Sequence, residues 1–118
     1  MARYLIQGAY SSDSWAALVD TPHDRATPIR DVVEQAGGHL ECFYFSFGEY
    51  DVVSIVDLPD NVTAAAVVIK AAAGRALKDV RTTPLLTVEE SIEALTRAQG
   101  VEYQPPGDTG FQTPIYAG

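Results

Sequence analysis

The stretch that decides the fold runs from residue 39 to residue 58 and reads HLECFYFSFGEYDVVSIVDL. Two runs rich in aromatic and β-branched residues flank the pair Gly48–Glu49. A Gly-X pair between two such runs is typical of a β-hairpin with a two-residue type II′ turn. The first central position of that turn has positive φ, so the pattern predicts a left-handed backbone at Gly48.

A two-residue turn at this place sets the register of the hairpin by counting. One face then carries the facing pairs Phe47–Tyr50, Phe45–Val52, Phe43–Ser54, Glu41–Val56 and His39–Leu58. The other face carries Leu40, Cys42, Tyr44 and Ser46 against Asp57, Ile55, Val53 and Asp51. Because side chains alternate strictly along a strand, we expect the first set beneath the helices. The second set mixes apolar and polar groups, which suits a ligand-lined cleft between two sheets.

The segment before the hairpin predicts one strand and one interrupted helix. Residues 3–10 (RYLIQGAY) are rich in strand-forming residues. Residues 13–36 have helical periodicity, broken at Thr21–Pro22 because the residue before a proline avoids the α region. Pro28 suits the first turn of the second helical part, or it kinks a longer helix. Gly37–Gly38 is expected to end this helix with a left-handed cap.

The segment after the hairpin predicts a helix, a strand and a last helix. Asp60 is expected to cap a helix that ends near Gly74. The predicted packing face of this helix consists of Val62, Ala65, Ala66, Ile69, Ala72 and Ala73. Residues 78–87 predict a fourth strand, in which Pro84 favours an edge position or a bulge. Thr87–Glu90 has the pattern of a capping box that opens a helix ending near Ala98.

This order, β-α-β-β-α-β with a C-terminal helix, predicts an α+β fold of the ferredoxin-like split βαβ type. Its four-stranded sheet would carry helices on one face only, and the other face would expose a large apolar patch. We therefore expect a homodimer, or a higher homo-oligomer, in which a second copy covers that face. The predicted domain spans residues 1–98.

The predicted tail spans residues 99–118 and is rich in proline and glycine, so no helix or strand is expected there. It carries apolar anchors at Val101, Tyr103, Phe111, Ile115 and Tyr116. Such a segment suits an arm laid across another subunit. The alternative interpretation is an arm that packs on its own domain.

Charge and composition exclude several classes of function. The chain has 118 residues and a formal charge of −8, and its eight basic residues are scattered singly. Nucleic acids and anionic membranes need clustered Lys and Arg, so neither is an expected partner. The single cysteine, Cys42, allows no internal disulfide. No apolar run approaches the roughly 20 residues of a membrane span, and the N-terminus lacks a signal-peptide pattern, so a cytoplasmic protein is expected.

A set of short motifs resembles the GYD domain family. Its central part is Phe47–Val53 (FGEYDVV), followed by Pro59–Asp60. Further matching segments are Thr21–Arg25, Gly37–Gly38 and Val80–Thr83, so the resemblance covers roughly residues 3–90. It implies a ferredoxin-like fold paired into a dimeric α/β barrel, and it implies no particular reaction. Pro28 and the tail beyond about residue 98 depart from the pattern.

Tyr44 and Asp51 are the candidate catalytic residues. They are diagonal neighbours across the predicted hairpin, on its mixed face. An aspartate there is suited to abstract a proton, and a tyrosine to stabilise the resulting oxyanion or enolate. The alternative interpretation, which we favour slightly, is that Asp51 binds turn amides beside Gly48 and that Tyr44 packs at a dimer seam.

The candidate ligand-binding residues are Cys42, Ser46, Val53, Ile55 and Trp15. Trp15 suits either a lid over the cleft or a packed helix residue, and its helical spacing favours packing. The two histidines, His23 and His39, have no recognisable metal spacing. No phosphate-binding glycine motif occurs either. We therefore predict neither a metal nor a cofactor.

Two functional hypotheses follow from these patterns. The first is a small-molecule protein that binds an apolar or aromatic metabolite between sheet and helices, with cofactor-free acid–base or oxygenase chemistry as its extension. This hypothesis predicts a closed apolar pocket on which Tyr44, Asp51 and a base of shifted pKa converge. The second is a non-catalytic accessory or regulatory protein. It expects a filled interior whose polar groups are satisfied by protein partners.

Overall fold

The computed structural model describes residues 1–107, and its helices and strands follow the predicted order with one helix divided in two. The elements are β1 (Ala2–Tyr10), α1 (Ser12–Asp20), α2 (Ala26–Gln35), β2 (His39–Phe45), β3 (Val52–Leu58), α3 (Asn61–Ala73), β4 (Leu77–Leu85) and α4 (Val88–Ala98). The predicted break at Thr21–Pro22 separates α1 from α2. The α+β class is confirmed.

The four strands form one antiparallel sheet in the order β2-β3-β1-β4. The two central strands are the first and third in the chain, which is the ferredoxin-like arrangement. β4 is an edge strand, so Pro84 lies where a proline removes no ladder bond from a central strand, as predicted.

The predicted helix ends are confirmed by their hydrogen bonds. Gly37 follows α2 with φ of +83° and donates its N–H to the Glu34 carbonyl, while Gly38 donates to the Val33 carbonyl. These two bonds form a Schellman motif. At α3 the Asp60 carboxylate accepts from the Thr63 N–H at 2.8 Å. At α4, Thr87 and Glu90 form the reciprocal bonds of a capping box.

The hairpin forms, but its predicted turn is wrong. β2 ends at Phe45 and β3 starts at Val52, so the connection is a six-residue loop rather than a two-residue turn. Among the described glycines only Gly37 and Gly107 have positive φ, and Gly48 does not. The Ser46 N–H still donates to the Asp51 carbonyl at 2.9 Å, so the loop closes just beyond the strand pair.

The register prediction is correct near the loop and wrong at the far end. Phe45 pairs with Val52, and Phe43 pairs with Ser54, as counted. A register shift between Leu40 and Cys42 then pairs Leu40 with Val56 and His39 with Asp57. This bulge places Leu40 in the core, where it is 5% exposed, in the position expected for Glu41. His39 and Glu41 are exposed instead, and so is Phe47.

The predicted packing face of α3 is also wrong. The core side carries Ala64 and Val67, with Val68 and Ala71 beside them along the same i, i+3, i+4, i+7 stripe. The predicted residues Val62, Ala65, Ala66, Ile69, Ala72 and Ala73 are all exposed. The C-cap at Gly74 is confirmed, but the left-handed residue is the next one, Arg75, with φ of +64°.

The core lies between one face of the sheet and the helices α2 and α3. Its buried cluster contains Tyr4, Val33, Leu40, Val56, Leu58 and Ala64. Leu58, Val33 and Val56 are the largest fully buried side chains among the described residues. These contacts fix both helices on the face that carries Tyr4 and Val56. The opposite, open face carries the alternate side chains of the same strands.

The described chain divides into a unit of Met1–Leu85 and a unit that begins at Leu86. The second unit contains α4, in which no residue is buried. After α4, residues 101–107 contain neither helix nor strand, and Val101 and Tyr103 are exposed. The predicted tail anchors Phe111, Ile115 and Tyr116 lie outside the described residues. None of the described helices is both long enough and apolar enough to cross a membrane.

Candidate functional site

The main cavity of the Met1–Leu85 unit lies between the sheet and the helices α2 and α3. Its volume is about 260 Å³. The sheet contributes Ile6, Gly8, Tyr10, Phe43, Val52, Ser54 and Val56. The helices contribute apolar side chains that include Ile29, Val33, Val67 and Val68. The wall is therefore apolar over most of its area, as is usual for sites that bind small organic molecules.

Gly8 leaves space on the side of the cavity that the sheet forms. A Cβ at this position would approach the Leu77 side chain at 3.1 Å and the Val52 side chain at 3.2 Å. Gly8 lies on β1, where its register partners are Val52 on β3 and Val80 on β4. Its lack of a side chain leaves room between the central strands and the helices.

Aromatic rings form a cluster at one part of the cavity. Tyr10 and Phe43 line it directly. Trp15 of α1 meets the Tyr10 ring edge-on, with ring centroids 5.3 Å apart and an interplanar angle of 80°. Phe45 lies beside Tyr10 and Trp15, with centroid distances of 6.1 and 6.4 Å. Trp15 is 37% exposed, so it is partly packed and partly accessible beside the cavity.

Two basic side chains belong to the cavity lining. Arg25 comes from the start of α2, and Lys70 comes from α3, where it is the single charged residue. The Arg25 Nη1 lies 3.3 Å from the Nε2 atom of His23. No Asp or Glu occurs among the described residues that line the cavity. The cavity thus combines an apolar wall with positive charge.

Tyr10 supplies a neutral hydroxyl to the same cavity. Burial raises the pKa of its phenol, and the nearby Arg25 guanidinium opposes part of that rise. The hydroxyl therefore stays protonated at neutral pH and can donate a hydrogen bond. The Ser54 hydroxyl already donates a hydrogen bond within the sheet, to the Ile6 carbonyl at 3.3 Å.

The candidate catalytic pair is not joined into one site. The Asp51 carboxylate accepts a hydrogen bond from the Tyr10 backbone N–H at 2.8 Å, so it binds β1 rather than the turn amides beside Gly48. Tyr44 is 66% exposed. Within residues 1–107, no hydrogen bond connects Tyr44 to Asp51, and neither of them is among the residues that line the cavity. Their catalytic role stays a prediction.

The candidate ligand residues of the hairpin also lie away from the cavity. Cys42 pairs with Ile55 and Tyr44 pairs with Val53, all on the open face of the sheet. The Ser46 hydroxyl donates to the Tyr50 carbonyl at 2.6 Å within the loop. Of the predicted ligand residues, Trp15 is the one that the structure places in contact with the cavity's aromatic cluster.

An ion-pair network occupies one end of the open face. Arg3 donates from Nε to Asp57 at 2.9 Å and from Nη2 to Glu41 at 3.3 Å. The hydrogen bond and charge of Arg3 lower the pKa of the Asp57 carboxyl. His39 lies 3.7 Å from Glu41. Among residues 1–107 no group of His, Cys, Asp or Glu side chains is arranged to hold a metal ion.

Sequence reasoning missed most of the cavity residues. One signal for Lys70 was present, because it is the single charge in the run NVTAAAVVIKAAA. Arg25 and Tyr10 gave no such signal, since each lies in a polar or strand-like segment of ordinary composition. Their meeting depends on how α2 folds back over the end of β1.

Comparison with known proteins adds one finding. The family model of the GYD domain matches residues 4–95, a range that begins in β1 and ends in α4. No curated protein matches the chain significantly.

Proposed function

The chain belongs to the GYD domain family, and on that premise we propose that it binds a small apolar or aromatic molecule in the cavity between the sheet and the helices α2 and α3. The observation that carries this proposal is the apolar cavity of about 260 Å³. Its volume lies just below the roughly 300–1,000 Å³ of sites that take drug-sized ligands, so the expected occupant is small.

The free-energy cost of leaving an apolar cavity empty favours the binding of a ligand in it. At about 24 cal/mol per Å³, a closed and dry cavity of this volume would cost roughly 6 kcal/mol, which is an upper limit because the cavity is partly open. Gly8 helps to keep the space open on the sheet side. A ligand with an apolar body recovers packing contacts that the lining side chains otherwise lack.

Shape and chemistry favour aromatic ligands within this class. The Tyr10 and Phe43 rings line the cavity, and Trp15 and Phe45 extend the same cluster. Edge-on and offset contacts between rings add about 0.5–1.5 kcal/mol beyond the burial of area. An aryl group held against Tyr10 would gain such contacts.

Binding, rather than catalysis, is the function we propose. The Asp51 carboxylate is engaged by the Tyr10 backbone, and Tyr44 lies on the open face of the sheet. Acid–base or oxygenase chemistry would need a group within reach of the bound ligand. The accessory-protein alternative expects a filled interior, and the cavity favours a ligand over that alternative.

We also propose that a second copy of the chain covers the open face. Leu5, Val53 and Ile55 are apolar side chains that lie together there, on the central strands β1 and β3. Within the Met1–Leu85 unit, α2 and α3 pack on the other face. All three side chains are half-buried, and an apolar patch of this kind at the centre of a sheet face is typical of an interaction surface.

The binding proposal is tested by filling the cavity from one helix position. Val67→Phe adds a ring to a side chain that lines the cavity, whereas Ile69→Phe adds the same ring on the exposed side of α3. We expect 3-phenylpropan-1-ol to bind the parent and the Ile69→Phe variant in isothermal titration, and to bind Val67→Phe at least about tenfold more weakly. Equal affinity for both variants, or no heat with the parent, would contradict the proposal.

A further inference from the structure

Resting on the proposed function, we infer that the ligand carries one anionic group of the carboxylate type, which Arg25 and Lys70 bind at the cavity wall. The ligand class is therefore a small aryl or alkyl carboxylate. The apolar body would occupy the space between sheet and helices, and the carboxylate would face the two basic side chains.

The first argument is that both cations lack an acidic partner. Within residues 1–107, the ion pairs involve Arg3, His39 and Arg97, and neither Arg25 nor Lys70 takes part in one. Arg25 contacts the imidazole of His23 and the hydroxyl of Tyr10.

Of the Lys and Arg residues, Arg3 and Arg97 form ion pairs within residues 1–107, so Arg25 and Lys70 differ from the other unpaired ones by their place in the cavity lining. Sixteen acidic residues face eight basic ones, so a basic side chain has many available carboxylates. Arg3, for example, binds both Asp57 and Glu41. The lining of the cavity nevertheless excludes Asp and Glu among the described residues. An anion from outside the chain is the partner that this arrangement leaves room for.

The second argument concerns the strength of a charge beside an apolar wall. Coulomb attraction grows as the effective dielectric constant falls, so a carboxylate held against this lining gains more than it would at an open surface. A guanidinium presents its donors in a fixed fork that matches the two oxygens of a carboxylate. Lys70 adds a flexible point charge whose methylene stem can lie along the apolar residues of α3.

The third argument is that a neutral donor lies beside Arg25. The Tyr10 hydroxyl faces Arg25 and stays protonated, because burial raises the pKa of this phenol. It can donate to one carboxylate oxygen while Arg25 binds the same group. Guanidinium, ammonium and phenol thus come from three different elements, the start of α2, α3 and β1.

A matched pair of probes tests the inference separately from the binding proposal. We would titrate 3-phenylpropanoate and its neutral analogue 3-phenylpropanamide into the parent protein at pH 7. Because hydrogen bonds to a charged group are stronger than those to a neutral one, we expect the carboxylate to bind at least roughly tenfold more tightly than the amide. Lys70→Met and Arg25→Met should each remove most of that preference while the amide affinity stays unchanged.

Control variants lie on the same or neighbouring elements. Lys78→Met and Arg30→Met remove basic residues that do not line the cavity, so both should keep the full preference for the carboxylate. Far-UV circular dichroism checks that each variant retains the parent fold.

The outcomes separate the two proposals. Equal binding of carboxylate and amide would overturn the anionic group and leave the apolar site intact. Absence of binding by both probes would overturn the site itself. A preference that survives both Lys70→Met and Arg25→Met, or that falls equally in the control variants, would overturn the assignment to these two residues.

Discussion

The Asp51 carboxylate accepts a hydrogen bond from the Tyr10 backbone N–H at 2.8 Å, and the Asp51 N–H donates to the Gly8 carbonyl at the same distance. Both partners on β1 line the cavity. Asp51 therefore joins the beginning of the third strand to the part of the first strand that forms the cavity wall. This contact explains a conspicuous aspartate beside the hairpin loop without assigning it a chemical step.

Replacement of Asp51 should loosen this junction. Asp51→Ala leaves the Tyr10 N–H without its acceptor, so we expect a loss of about 1.5–3 kcal/mol in the free energy of unfolding. Asp51→Asn keeps an acceptor oxygen and should lose less. Urea unfolding of both variants measures the difference, with the exposed Asp31→Ala as a control of unchanged stability. An Asp51→Ala variant as stable as the parent would contradict the assigned role.

Gly38 should tolerate no side chain. A Cβ there would lie 2.2 Å from the Asp57 carbonyl oxygen and 2.6 Å from Cδ2 of Leu58. Since both contacts are far inside van der Waals distance, Gly38→Ala should destabilise the fold by about 3 kcal/mol. Gly48→Ala is the matched control, because nothing lies within 4 Å of its added Cβ. Equal melting temperatures for the Gly38→Ala and Gly48→Ala variants in thermal unfolding would refute this explanation.

The ion pair between Arg3 and Asp57 should make the free energy of unfolding depend on pH in the acid range. Arg3 lowers the pKa of the Asp57 carboxyl in the folded state. A carboxyl with a lowered folded pKa stabilises the fold above its unfolded value, near 3.9, and this contribution is lost as pH falls through the folded pKa.

The measurement for this pair is a comparison across pH. The parent should be more stable than Arg3→Met at pH 7, and the two unfolding curves should converge as the pH falls below about 4. The control Lys78→Met, which removes an exposed basic residue outside this pair, should keep its offset from the parent over that range. A difference between parent and Arg3→Met that grows towards low pH would contradict the assigned sign.

The open face of the sheet should mediate self-association. Ile55→Lys places a charge among the apolar residues of β1 and β3, whereas Ile69→Lys places the same charge on the exposed side of α3. We expect the parent and Ile69→Lys to sediment as dimers at micromolar concentration and Ile55→Lys to sediment as a monomer. A parent that sediments as a 12.7 kDa monomer would disprove the dimer.

The order of elements followed from the sequence because its local signals agree. The cap residues Asp60 and Thr87, the break at Thr21–Pro22 and the glycine pair after α2 each act over a few residues, and each formed as predicted. Such signals do not depend on distant contacts. The sheet order then follows from the few ways in which this order of elements can pack.

The direction in which each side chain faces was harder to predict from the sequence. The α3 segment NVTAAAVVIKAAA is apolar on nearly every side, so two stripes satisfied helical periodicity and the sequence offered no basis for choosing between them. Around Glu41, a bulge shifts the hairpin register, although no glycine or proline marks its position in the sequence. The helix wall of the cavity depends on the choice of the α3 stripe, since Val67, Val68 and Ala71 line it, whereas Arg25 and Tyr10 were missed because α2 brings Arg25 against the end of β1.

Methyl NMR with a neutral apolar probe tests the central claim most directly. In protein labelled at isoleucine and valine methyls, titration with 3-phenylpropan-1-ol should shift the signals of Ile29, Val33 and Val67, which line the cavity. The signals of Val53 and Ile55 on the open face should stay in place. Saturable shifts confined to the cavity methyls are the predicted result. Shifts at Val53 and Ile55 alone, or none at all, would contradict a binding site between the sheet and the helices.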